Sequence, residues 1–140
     1  MESTLVEQST LEAKDFLPLN GTDHVEFYVG NAKQSAYYYQ AAWGYELVAY
    51  AGPETGIREY ASYVLQQGKI RIVLTSAFSA THPIAQHQLV HGDGVKVLAL
   101  WVDDAKAAYE ATISRGAKSA IAPTVAKDEF GEVVIAAIET

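Results

Sequence analysis

Two stretches of this chain carry the same three-part pattern, and such a repeat leaves few folds open. The first runs from Gly21 to Gly44. His24, Glu26 and Tyr28 alternate with Val25, Phe27 and Val29, the period of a strand with two unlike faces. Gly30 and Asn31 break the strand, and Asn31 suits a helix N-cap. Ala32, Ala36, Tyr39 and Trp43 then recur at helical spacing, and Gly44 stands where a helix stops. A weaker copy runs from Lys96 to Gly116. With a constant offset, Val29 meets Val102, Ala32 meets Ala105, Lys33 meets Lys106 and Asn31 meets Asp104, whereas His24 meets Val97. The shared order of strand, capped helix and glycine stop argues for duplication. The chain reads as one β-α-β-β-β unit followed by another.

Around these copies the remaining elements fall into place. Residues 1–14 are polar and predict a tail, with Phe16 and Leu17 anchoring it on the core. Tyr45 to Tyr50 reads as a second strand, and Gly52 to Gly56 as a turn. Ser62 to Gln66 and Lys69 to Thr75 form a hairpin around Gly68. Ile84 to Val90 predicts one or two helical turns with Ile84, Leu89 or Val90 facing inward. Val95 to Val102 is almost continuously apolar, which suits a central strand covered on both faces. Asp103 or Asp104 caps the second helix, which carries Ala105, Ala108, Tyr109, Thr112 and Ile113. A hairpin from Ile121 to Ile138, turning at Asp128 to Gly131, closes the chain. The first unit has three strands after its helix and the second has room for two. One sheet is therefore expected to show a hydrophobic edge.

Charge and composition exclude several classes. A net charge of −7 with scattered Lys and Arg argues against nucleic acid or an anionic membrane as partner. The absence of cysteine removes disulfides, thiolate metal sites and a cysteine nucleophile. No apolar run reaches the ~20 residues of a membrane span, and the N-terminus lacks a signal-peptide pattern. A cytoplasmic protein is the expectation.

Candidate chemistry is sparse. His87 and His91 are spaced i, i+4, but Gln88 follows His87 where zinc peptidases need a glutamate, so a surface or capping role is expected. His82 carries no functional reading. Asp103/Asp104 and Asp128/Glu129 sit where caps and turn formers belong. Of Tyr37, Tyr38 and Tyr39, one must face the sheet while the others reach an edge or a partner.

Several motifs together resemble one family. Gly21-Thr22-Asp23-His24-Val25-Glu26-Phe27-Tyr28-Val29-Gly30-Asn31-Ala32 is similar to the opening of the N-terminal domain of the 4-hydroxyphenylpyruvate dioxygenases. Gly52-Pro53-Glu54-Thr55-Gly56, His91-Gly92-Asp93-Gly94-Val95 and Asp128-Glu129-Phe130-Gly131-Glu132-Val133-Val134 fit in the same register. The resemblance implies an α+β fold of the vicinal oxygen chelate (glyoxalase/bleomycin-resistance) type, with paired βαβββ modules forming a curved mixed sheet. On that frame 15–140 is one domain, with module one at about 20–76 and module two at about 94–140, the latter lacking its last strand.

The family's chemistry is that of an iron(II) dioxygenase acting on an aromatic α-keto acid to give homogentisate and carbon dioxide. It needs two His and one carboxylate on one metal face. In the family those ligands lie in a C-terminal domain whose motifs this chain does not match. His24 stands on a first strand, where a ligand-bearing module carries its first histidine, but Val97 takes the equivalent place in the second copy. His24 is therefore expected to be structural and hydrogen-bonded. No catalytic, cofactor or metal residue is assigned, and Fe(II) is expected only in the parent protein. The implied partners are the C-terminal catalytic domain, the keto acid and further copies in a homo-oligomer. Two alternatives stay open: the N-terminal half of a 4-hydroxymandelate synthase, and a stand-alone metal-free small-molecule-binding module.

Overall fold

The computed structural model describes residues 15–139, so the tail reading for 1–14 lies outside the described residues. The described residues form two compact units, one from Asn20 to Trp101 and one that joins 102–139 with 15–19.

In the first unit, β1 (Gly21–Tyr28), β2 (Glu46–Ala51), β3 (Tyr60–Gln67), β4 (Ile70–Ala77) and β5 (Gly94–Trp101) make a mixed sheet in the order β2-β3-β4-β1-β5. Its β1–β4 pair is parallel, and β5 runs antiparallel to β1. Helix α1 (Ala32–Trp43) lies between β1 and β2 in sequence. Asn31 caps it as its chemistry demands, its Oδ1 accepting from the Gln34 N–H at 2.9 Å. Gly44 ends it at φ 73°, a left-handed conformation that glycine adopts without a Cβ clash.

Ala32 and Ala36, four residues apart, share one helix face and are buried. With no side chain beyond Cβ they let the helix backbone settle close to Leu65, Ile72 and Leu74, and Phe27, Tyr39, Tyr45 and Tyr63 close the rim. The Ser76 hydroxyl accepts from the Ala32 N–H at 3.0 Å and pins the helix start to β4. Tyr39 is the tyrosine that joins the core, while Tyr37 and Tyr38 are exposed.

Two expectations need correction here. Helix α2 (Pro83–His91) buries Ile84, but Leu89 and Val90 are 75% and 76% exposed. It is only nine residues long, and its last turn has no core beneath it. Strand β5 is not central: it is the outermost strand of its sheet, with no partner on its outer side among the described residues. A single 3-10 turn, Pro53–Thr55, occupies the predicted Gly52–Gly56 bend.

In the second unit, α3 (Ala105–Ile113) packs on a hairpin of β6 (Lys118–Asp128) and β7 (Gly131–Glu139). Asp104 is the cap, its Oδ1 accepting from the Ala107 N–H at 2.9 Å. Asp128 forms the hairpin turn, its Oδ1 accepting from the N–H groups of Phe130 and Gly131 at 2.8 and 3.0 Å. Pro123, which has no N–H to give, falls where the β6–β7 register shifts between Ile121 and Thr124. Phe16 is half-exposed rather than core-bound. It is held by the Arg115 guanidinium, 3.7 Å over its ring. No helix among the described residues is long and apolar enough to cross a membrane.

Candidate functional site

The polar chemistry of the Asn20–Trp101 unit gathers on the sheet face opposite α1. Strand alternation puts His24 and Glu26 there, since Phe27 joins the core on the other side. Asp23 should point away from His24, yet its Oδ2 lies 2.6 Å from His24 Nδ1. The β1–β5 register explains this. Thr22 pairs with Leu100 and His24 with Ala99, leaving Asp23 as the extra residue of a bulge, which turns its side chain onto its neighbour's.

Two hydrogen-bonded rows result. In one, Arg71 Nη1 donates to Asp23 Oδ1 at 3.3 Å, while Arg71 Nε and Nη2 donate to Gln66 Oε1 at 3.4 and 3.3 Å. A carboxylate only accepts, so the Nδ1–H of His24 is the donor to Asp23. In the other row, the Thr75 hydroxyl donates to Glu26 Oε1 at 2.7 Å. Having spent its proton, Thr75 accepts from Ser62 Oγ at 2.8 Å. Each row thus ends on β1, at His24 and at Glu26.

This face can orient an imidazole and a carboxylate, and it can do little more with a metal. The sheet partners of His24 and Glu26 on β5 are Ala99 and Val97, which carry no donor atoms. Among the described residues no group of three His, Cys, Asp or Glu side chains is placed to hold an ion. One imidazole, already tied to Asp23, falls short of the two-His-one-carboxylate set that an iron(II) dioxygenase needs.

The other three histidines belong to α2 and its cap. His82 caps α2, its Nδ1 accepting from the Ile84 N–H at 3.2 Å, a role the sequence reading missed although the following Pro83 marks a helix start. The His87 and His91 rings lie 4.4 Å apart, and His87 meets the edge of Tyr28. Burial, Lys96 and His91 hold the His87 pKa below the ordinary range. An open cleft of about 730 Å³ lies on the α1 side of this unit, and His24 is not among its lining residues. Its floor is Phe27, Val29 and Leu74, and its rim includes Asp93, whose Oδ1 accepts from Gly30 N–H and Gln88 Nε2, both at 2.9 Å.

At the 3-10 turn, Tyr50 donates its hydroxyl to Glu54. That bond, followed by desolvation, pushes the Tyr50 phenol up to about 12, and the same bond lowers Glu54. The signs agree. The bond is complete between the ordinary carboxylate and phenol ranges. It weakens as pH falls through the depressed Glu54 value, or rises through that of Tyr50. Glu54→Gln is expected to return Tyr50 toward 10.0, followed through the Cζ shift of labelled tyrosine by NMR. An unmoved Tyr50 titration would place the cause elsewhere.

Residues 23–133 match the Glyoxalase/Bleomycin resistance protein/Dioxygenase superfamily, and the chain belongs to it. Within that superfamily it is similar to 4-hydroxyphenylpyruvate dioxygenase of Tetrahymena thermophila, 45% identical over 130 residues. That alignment takes in 86% of this chain and 31% of the relative. The Dictyostelium discoideum enzyme of the same name is 42% identical over 121 residues, 86% of this chain and 33% of the relative. The chain therefore spans about a third of the length of the curated relatives it matches, as fits an N-terminal domain. Among solved structures, a variant of 4-hydroxymandelate synthase from Streptomyces coelicolor superposes with a TM-score of 0.81 at 27% identity, over 87% of this chain and 36% of that one. Methylmalonyl-CoA epimerase from Mycobacterium tuberculosis, at 20% identity and a TM-score of 0.65 over 86% and 82% of the two chains, shares the fold.

Proposed function

We propose that the chain is the non-catalytic N-terminal half of a 4-hydroxyphenylpyruvate dioxygenase. The parent would convert 4-hydroxyphenylpyruvate and dioxygen to homogentisate and carbon dioxide in cytoplasmic tyrosine catabolism, with Fe(II) held by its C-terminal domain. The observation that carries the reading is the combination of 45% identity across most of this chain with coverage of only 31% of the relative. In this reading the half represented here supplies a folded scaffold and an oligomer surface. His24 and Glu26 then serve as half-buried polar ties, to Asp23 and Thr75, rather than as ligands.

The 4-hydroxymandelate synthase likeness supports a second reading, the equivalent half of an enzyme that takes the same keto acid. Oxygen uptake separates the possibilities. With Fe(II) and 4-hydroxyphenylpyruvate, the chain alone is expected to consume no dioxygen. The parent polypeptide is expected to consume it and release homogentisate; hydroxymandelate would select the second reading. Turnover by the chain alone would overturn both.

A further inference from the structure

We infer that His87 and His91 form a two-imidazole chelate for a divalent late transition-metal ion, Cu(II) being held most tightly, on the last turn of α2. The inference rests on the geometry of one helix and is independent of the dioxygenase reading. Both residues lie on α2, Pro83–His91, four positions apart, so their side chains leave the same helix face. The two ring centroids are 4.4 Å apart, with 37° between the ring planes. Rings already side by side leave little ordering for an ion to impose, and that saving is how preorganised sites gain affinity.

Tyr28 on β1 steadies the pair, its ring 5.5 Å from that of His87 at 87°. His87 Nδ1 is enclosed without a hydrogen-bond partner, whereas Nε2 is not so enclosed and is the nitrogen available to an ion. His91 is exposed. An imidazole ligates through a lone pair, so the proton is its competitor. Burial, the Lys96 ammonium on β5 and His91 hold the His87 pKa down, which keeps that lone pair free near neutrality. Lys96 repels the ion as it repels the proton, and so keeps the affinity modest.

Imidazole suits Cu, Ni and Zn, and divalent affinity rises from Fe(II) through Ni(II) to Cu(II). Among the described residues no third His, Cys, Asp or Glu joins the pair. His82 Nδ1 is engaged by the Ile84 N–H, and Asp93 Oδ1 by Gly30 and Gln88. Water therefore completes the coordination, and weakly favoured Fe(II) would not survive desalting. The location gives such an ion a structural consequence. Leu89 and Val90 are 75% and 76% exposed, so packing does little to hold the final turn. An ion shared by His87 and His91 binds only the helical form and stabilises that turn by linkage.

Titration of the chain with Cu(II), followed by electron paramagnetic resonance, tests this. One Cu(II) per chain is expected, with hyperfine splitting from two nitrogens. That signal should be lost in His87→Gln and in His91→Gln, and unchanged in His24→Ala. A fourth variant, His91→Gln with Leu89→His, restores the histidine count but sets the rings about 200° apart around the helix, so it should not restore the signal. Absence of saturable Cu(II) binding, a one-nitrogen signal, or its survival in either single glutamine variant would overturn the proposal. Recovery in the Leu89→His variant would do the same, since binding would then follow histidine number rather than placement.

Discussion

Leu74→Ala is expected to cost about 3 to 4 kcal/mol of stability, the largest effect of any single truncation in the Asn20–Trp101 unit. Leu74 is 1% exposed, sits on β4 between β1 and β3, and packs with Leu65, Ile72 and the alanine face of α1. The removed carbons leave a hole that Ala32 and Ala36 cannot fill, because neither has a side chain that reaches further. The cost therefore combines lost transfer free energy with an uncollapsed cavity. Urea unfolding followed by tyrosine fluorescence measures it, with the slope m unchanged if the native state keeps its compactness. A loss below about 1 kcal/mol would mean that the helix and sheet close over the gap.

Thr75→Val is expected to cost about 2 kcal/mol, although it exchanges side chains of nearly equal volume. Thr75 is 2% exposed, and its hydroxyl joins Ser62 to Glu26. Valine deletes the donor to a half-buried carboxylate and the acceptor for Ser62 in one step. Bonds to charged groups are the costlier ones to lose, at roughly 1.5–3 kcal/mol. Thr75→Ser keeps the hydroxyl and drops one methyl, so it should recover much of the loss. The same unfolding measurement decides: equal stability of the valine and serine variants would show that packing, not the hydroxyl row, holds this position.

What could be read from the sequence was local. Asn31 and Asp104 announce their helices because a cap needs only its own side chain and the next turn. The face carrying His24, Glu26 and Tyr28 follows from alternation alone. The hydrogen-bonded rows depend on register, which no single strand encodes. Asp23 meets His24 only because pairing with β5 leaves it as the bulged residue. Ser62, Thr75 and Glu26 come from three strands, and only the β3–β4 and β4–β1 registers put them side by side. Leu89 and Val90 are apolar yet exposed, because apolarity gives no sign of whether a core lies beneath a short helix. β5 was judged from its composition, which reports what a strand is built to meet rather than what flanks it.

Among the described residues, few metal donors are gathered around His24. Anaerobic titration of the chain with Fe(II), followed by desalting and iron determination, tests this most directly. The expected result is no stoichiometric iron and no difference between the unaltered chain and His24→Ala. One tightly held ion per chain, lost on replacing His24, would contradict it.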